Sequence, residues 1–160
     1  MSVRIKRVLI LFSGLGWLLM PQLSLALCPD LGSFYQRLGV ADEAVSRDLS
    51  ALLDECYSNS EYFALLGAAQ LNMDDLFSAL ENLERSLLLD PNNGSAAMDY
   101  AEILYRQGQV SSALEMNELL GARDDLPEGL YQVIRQRARR WSRSAVSLNA
   151  GFGIAAGYDN

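Results

Sequence analysis

Residues 60–94 read SEYFALLGAAQLNMDDLFSALENLERSLLLDPNNG, and this stretch decides the fold. Two apolar segments with helical spacing flank a polar turn at residues 74–75. Gly67 and Ala79 are small where two helices of a hairpin would cross closely, and Pro91 ends the second helix. The stretch therefore predicts a helix–turn–helix hairpin.

The order of small and large residues, counted from Ser60, resembles a tetratricopeptide repeat, a helical hairpin of about 34 residues. Residues 94–127 repeat the pattern more loosely, with a turn at Gly108. Asn117 departs from it, since a large apolar residue is usual there. The resemblance implies an all-α fold in which residues 60–127 form two repeats of a right-handed helical stack.

The flanking segments predict three further parts. Residues 27–59 are expected to form N-terminal capping helices. Residues 128–143 predict an Arg-rich amphipathic helix. Residues 144–160 alternate apolar with small or polar side chains, which is typical of the first strand of an outer-membrane β-barrel. One strand cannot close a barrel, so the sequence is expected to be the front part of a longer protein.

The N-terminus predicts a secretory signal peptide over residues 1–26. Basic residues precede an apolar run at 8–20, and small residues at 24 and 26 suit a signal peptidase. A membrane anchor is the alternative, but the run is shorter than the roughly 20 residues that span a bilayer. We therefore expect export, with localisation in the periplasm or at the cell outer membrane.

The composition argues against several functions. The chain has 13 basic and 20 acidic residues, a net charge of −7 and no His. An acidic surface disfavours nucleic acid as a partner. Without His, a Ser-His-Asp or Cys-His arrangement is excluded, and the acidic pairs at 74–75 and 124–125 lie in predicted turns, where Asp makes local hydrogen bonds. We expect no enzymatic activity, no cofactor and no metal site.

Cys28 and Cys56 are the cysteines of the chain. In an oxidising compartment they are expected to form a disulfide. Such a bond closes a loop of about 28 residues and contributes roughly 3–4 kcal/mol by loop entropy. A redox pair is the weaker alternative because no C-x-x-C motif is present, and the spacing does not match a zinc site.

A basic cluster precedes the predicted strand. Three interpretations remain open: a solvated helix face, an anchor on lipid phosphates at the inner surface of the outer membrane, or docking onto the acidic repeats. The cluster comprises Arg135, Arg137, Arg139, Arg140 and Arg143.

The first helix of each hairpin in such a stack lines a concave groove that suits a peptide or a partner helix. For each position, ordinary exposed surface is the alternative. The repeat frame predicts a partner-binding groove that includes Leu71, Asn72, Met98, Glu102, Tyr105 and Arg106, with Glu61, Ala64 and Ala68 beside them.

The order of these parts is similar to bacterial outer-membrane proteins in which repeats precede a barrel. The nearest resemblance is to the surface lipoprotein assembly modifier family, carried by ALEMNELL at 113–120, Leu126-Pro127 and the ending GYDN at 157–160. It implies that the repeats receive a protein cargo or machinery partner, and that the full-length form contacts the outer membrane through its C-terminal strand. The alternative is a soluble periplasmic scaffold for assembly of a secretion or exopolysaccharide export machine.

Overall fold

The computed structural model describes the backbone of residues 27–155 and the side chains of residues 27–145. The predicted signal peptide and residues 156–160 lie outside this part of the chain. The part described is all-α, as the sequence predicts. Its helices are α1 (Gly32–Tyr35), α2 (Asp42–Ser50), α3 (Leu53–Cys56), α4 (Ser60–Asn72), α5 (Leu76–Leu89), α6 (Gly94–Arg106), α7 (Val110–Gly121) and α8 (Glu128–Ala155).

Helices α4 and α5 form the first predicted hairpin. The side chains of Asn59 and Asp75 accept hydrogen bonds from backbone N–H groups of the first turns, which caps both helices. Gly67 allows the close crossing, because a Cβ at this position would lie 2.7 Å from Cγ of the fully buried Leu83. The small residue in the sequence pattern thus has the packing role that was expected.

Helices α6 and α7 form the second hairpin. The Asn93 side chain accepts a hydrogen bond from Ala96 N–H and caps α6. Gly108 has a φ of 79°, a left-handed conformation that favours glycine in the turn. Asn117, the departure from the repeat pattern, is 2% exposed and donates its Nδ2 to the Ile134 carbonyl at 2.9 Å. A polar side chain is accommodated here because it bonds to the next helix.

Three polar side chains join the two hairpins. Ser86 Oγ donates to the Ser60 carbonyl at 2.8 Å. Asn93 Nδ2 donates to Ser60 Oγ at 2.9 Å and approaches Ser86 Oγ at 3.3 Å. We call Ser60, Ser86 and Asn93 the polar junction. It links the start of α4, the end of α5 and the residue before α6, so successive hairpins meet through directional bonds as well as apolar contacts.

The N-terminal helices pack on α4 and are fixed by the disulfide. Cys28 and Cys56 are bonded, as predicted, and Cys56 is fully buried. Val45 and Leu49 of α2 are also fully buried. Tyr62 of α4 donates its hydroxyl to the Leu49 carbonyl at 3.0 Å. These contacts bring the N-terminal segment against the first hairpin.

Helix α8 lies where the first helix of a third hairpin would lie. The helices α4, α6 and α8 begin at Ser60, Gly94 and Glu128, which are separated by two equal steps of 34 residues. Helix α8 packs on α7, and its Ile134 and Trp141 are buried. The stack therefore continues past the second hairpin by one helix.

The structure does not show the predicted strand at residues 144–160. Helix α8 continues to Ala155, and residues 156–160 lie outside the described part. A strand needs neighbouring strands to pair its backbone N–H and C=O groups, whereas a helix pairs them within itself. With no strand in the described part of the chain to pair with, the segment is helical despite its alternating sequence.

Candidate functional site

The predicted groove residues of the first hairpin are only partly accessible. Leu71 is buried in the contact between the hairpins, with 5% of its surface exposed. Asn72 is exposed, and its Nδ2 donates to Asp42 Oδ1 at 3.1 Å. Ala64 is buried and Ala68 is half-buried. Among the predicted groove residues of α4, Glu61 and Asn72 are therefore the exposed ones.

Glu102 of α6 is surrounded by arginines. Its carboxylate lies 3.0 Å from Arg140, 3.4 Å from Arg137 and 3.5 Å from Arg106. The Glu102 side chain is 13% exposed, so these ion pairs are less screened than surface pairs. Arg137 also donates to the Met98 carbonyl. The acidic centre of the predicted groove thus holds α8 in place.

Tyr105 of α6 likewise contacts α8. Its ring stacks on the fully buried Trp141 with centroids 5.1 Å apart, and its hydroxyl hydrogen-bonds to Ser144 at 2.9 Å. Arg106 bridges the hairpins, since it pairs with Asp74 at 3.2 Å and bonds the Leu71 carbonyl. Glu102, Tyr105 and Arg106 thus lie together on α6, and the side chains that contact them belong to this chain.

The basic cluster divides between two surfaces. Arg137 and Arg140 dock onto the acidic repeats through Glu102, which is one of the three interpretations of the sequence. Arg135 and Arg139 are exposed and make no ion pair within residues 27–145. Arg143 is exposed and donates Nε to the Arg139 carbonyl. One helix therefore presents arginines with different roles.

A small cleft remains open between α1, α4 and α6. Its volume is about 100 Å³. Alanine and leucine side chains form much of its surface, and Tyr35 of α1 and Asp99 of α6 contribute polar groups. We call it the Asp99 cleft, and it is lined by Tyr35, Leu38, Ala64, Leu65, Ala68, Ser95 and Asp99.

The electrostatics of this cleft favour a cationic group. Burial raises the pKa of Asp99 to about 6, although the charge of Arg137 opposes the rise. The Asp99 carboxylate is therefore ionised at pH 7 but poorly solvated. Burial, reinforced by the charge of Glu61 and a hydrogen bond to it, raises the pKa of Tyr35 to about 12. Tyr35 stays neutral, so the cleft combines one buried negative charge with uncharged walls.

Sequence reasoning missed Tyr35 and Asp99. Asp99 follows Met98, a predicted groove residue, so its position on the helix was a signal that could have found it. Tyr35 had no such signal, because its place beside α4 depends on how the disulfide-linked N-terminal segment folds back.

The acidic pairs have local roles. Asp74 accepts the Arg106 ion pair, Asp75 caps α5, and Asp125 pairs with Arg123 at 2.7 Å. In the part of the chain that the structure describes, no group of three or more Cys, Asp or Glu side chains could hold a metal ion. None of the helices described is both long enough and apolar enough to cross a membrane.

The stacked hairpins and their shared groove define a helical-repeat protein of the kind that presents an interaction surface. A family model described as tetratricopeptide repeat matches residues 70–132, from the last turn of α4 to the start of α8. Over these residues the chain is therefore similar to tetratricopeptide repeats, which generally bind protein partners and are generally non-catalytic scaffolds. No curated protein matches the chain.

Proposed function

We propose that this chain is a periplasmic protein-interaction domain that receives a cargo or machinery partner for export across the outer membrane. The observation that carries the interaction role is the Asp99 cleft, which remains open while α8 covers the groove positions of the second hairpin. A poorly solvated carboxylate beside alanine and leucine side chains suits a partner segment with a Lys or Arg side chain.

The cellular location is part of the same proposal. It is supported by the signal-peptide pattern of residues 1–26 and by the Cys28–Cys56 bond, since disulfides persist in oxidising compartments. The repeat-plus-barrel resemblance supports placing the domain on the periplasmic side of an outer-membrane protein.

The location predicts a processed and oxidised protein. When the chain is expressed in a Gram-negative bacterium, osmotic shock should release a product that begins at Leu27. Its intact mass should match the processed chain with the disulfide formed. Signal peptidase requires small residues before the cleaved bond, so a bulky Ala26→Leu variant should keep residues 1–26. An unprocessed wild-type chain with free thiols in the cytosol would contradict the proposed location.

The interaction role predicts a position-specific contact. A photo-crosslinking amino acid at Ala68, in the Asp99 cleft, should capture a discrete partner in cells of the native host. The same group at Glu81, an exposed position of α5, is the matched control and should not capture it. Equal capture from both positions would contradict a role for the cleft.

Asp99→Asn separates binding from folding in that experiment. The variant should lose most of the crosslink at Ala68, because the amide cannot pair with a cation. Its stability at pH 7 should equal or exceed that of the wild type, since the folded-state pKa of Asp99, about 6, is above its ordinary value and the ionised form therefore opposes folding. That difference should shrink as the pH falls through about 6 and vanish well below the ordinary pKa of 3.8, where the carboxyl is protonated in both states. Retained crosslinking would show that Asp99 does not recognise the partner.

A further inference from the structure

A second, larger groove lies between α7 and α8. Its volume is about 590 Å³. The floor is mostly apolar or small, with Leu114 and Gly121 from α7 and Ile134 and Ala138 from α8. It is separate from the Asp99 cleft, which lies between α1, α4 and α6.

The repeat register shows which element fits this groove. In the first hairpin, Gly67 of α4 contacts side chains of α5, and Gln70 accepts a hydrogen bond from α5 at 2.8 Å. Arg135 and Ala138 stand two repeats of about 34 residues after Gly67 and Gln70, and both line the groove. The groove therefore lies on the face of α8 that, in a complete hairpin, packs against the second helix. No helix occupies this place among the residues described.

A buried polar side chain stands under the same groove. Asn117 lines it and is 2% exposed. Its Nδ2 donates to the Ile134 carbonyl, and its Oδ1 is buried without a hydrogen-bond partner in the structure described. Because this oxygen is inaccessible, recognition in the groove rests on the apolar floor and on the charges beside it.

The charges beside the groove indicate the chemistry of the occupant. Arg135 lines the α8 side, and Arg139 follows one turn later on the same side of the helix. Both are exposed, and neither makes an ion pair within residues 27–145. Glu118 lines the α7 side. A helix with acidic side chains toward α8 would pair with the arginines, in contrast to Arg137 and Arg140, which are already bonded to Glu102.

We propose that the groove between α7 and α8 binds an acidic amphipathic helix of a partner protein, seated where the second helix of a third hairpin would pack. The apolar face of this helix covers Leu114, Ile134 and Ala138, and its acidic flank lies against Arg135 and Arg139. The site is separate from the Asp99 cleft, so the proposal for one site can be wrong while the proposal for the other holds.

The probe is a fluorescein-labelled synthetic peptide of about 18 residues, long enough to form a helix, with leucines on one face and glutamates beside them. Its control carries lysines in place of the glutamates. Titrated with the oxidised full chain, the acidic peptide should bind saturably and about tenfold more tightly than the basic one. A photoreactive group on its apolar face should label α7 and α8 rather than α4 and α6.

Single charge reversals test the role of the two arginines beside the groove. Arg135→Glu and Arg139→Glu should each weaken the acidic peptide about fivefold to tenfold. Arg47→Glu reverses an equally exposed charge on α2 and should leave binding unchanged. All three positions are at the surface, so circular dichroism should show folded protein.

Four results would overturn the proposal. The first is equal binding of both peptides or binding of neither, and the second is an equal effect of the three reversals. The third is that the chain binds vesicles of phosphatidylglycerol and phosphatidylethanolamine but not the peptide, and that Arg135→Glu abolishes the vesicle binding. This result would assign the face to the membrane. The fourth is a dimer in sedimentation that Arg135→Glu dissociates, which would assign it to a second copy.

Discussion

Trp141→Ala should lower the free energy of unfolding by about 3–5 kcal/mol, the range for removing a large aromatic side chain from a core. Trp141 is fully buried and stacks on Tyr105, while Arg137 lies 5.6 Å above its ring. Without it, α8 loses an apolar contact with Ala101 and Leu104 of α6. The change should appear as a lower midpoint in urea unfolding followed by circular dichroism.

Two controls define that result. Phe77→Ala removes an aromatic ring that is 80% exposed and should change stability by less than about 0.5 kcal/mol. Trp141→Phe keeps an aromatic ring and removes an indole N–H that has no hydrogen-bond partner in the structure described. It should therefore lower the free energy of unfolding by less than Trp141→Ala does. A loss below about 1 kcal/mol for Trp141→Ala would mean that α8 is not held by this contact.

Removal of the disulfide should have an effect of similar size. The double variant Cys28→Ser/Cys56→Ser should lose about 3–4 kcal/mol, because the unfolded chain regains the freedom of a loop that spans 28 residues. The helices α1 to α3 should loosen first, and Tyr35 would then leave the Asp99 cleft. Denaturant unfolding and hydrogen exchange of residues 31–56 measure the two effects.

Reduction of the disulfide in the wild type is the matched comparison for the double variant. The wild type in a phosphine reductant should match the double variant, and the double variant should not respond to the reductant. If reduction leaves the wild-type midpoint unchanged, the N-terminal helices are held by packing of Val45 and Leu49 alone.

Local chemistry made the hairpins predictable from the sequence. Gly67 and Gly108 each have a steric requirement that few other residues satisfy, and Pro91 interrupts a helix wherever it occurs. The disulfide was predictable for a simpler reason, since two cysteines in a chain that begins with a signal-peptide pattern have one way to pair within that chain.

The arrangement of α8 was not predictable in the same way. Its contacts join residues far apart in sequence, such as Glu102 with Arg140 and Tyr105 with Trp141. The repeat frame correctly places Glu102 and Tyr105 on one face of α6, but it carries no information about what covers that face. The alternation from residue 144 predicted a strand because periodicity does not reveal whether pairing partners exist. Asp99 was missed because burial of a carboxylate depends on the neighbouring helix.

The polar junction of Ser60, Ser86 and Asn93 also bears on the shape of the superhelix. Apolar surfaces can slide past one another at little cost, whereas hydrogen bonds near 3 Å hold both distance and direction. The junction therefore restrains how the connection to the second hairpin leaves the first. In a solenoid, the rotation from one repeat to the next determines the curvature of the inner surface, so such bonds bear on the radius that a partner must fit.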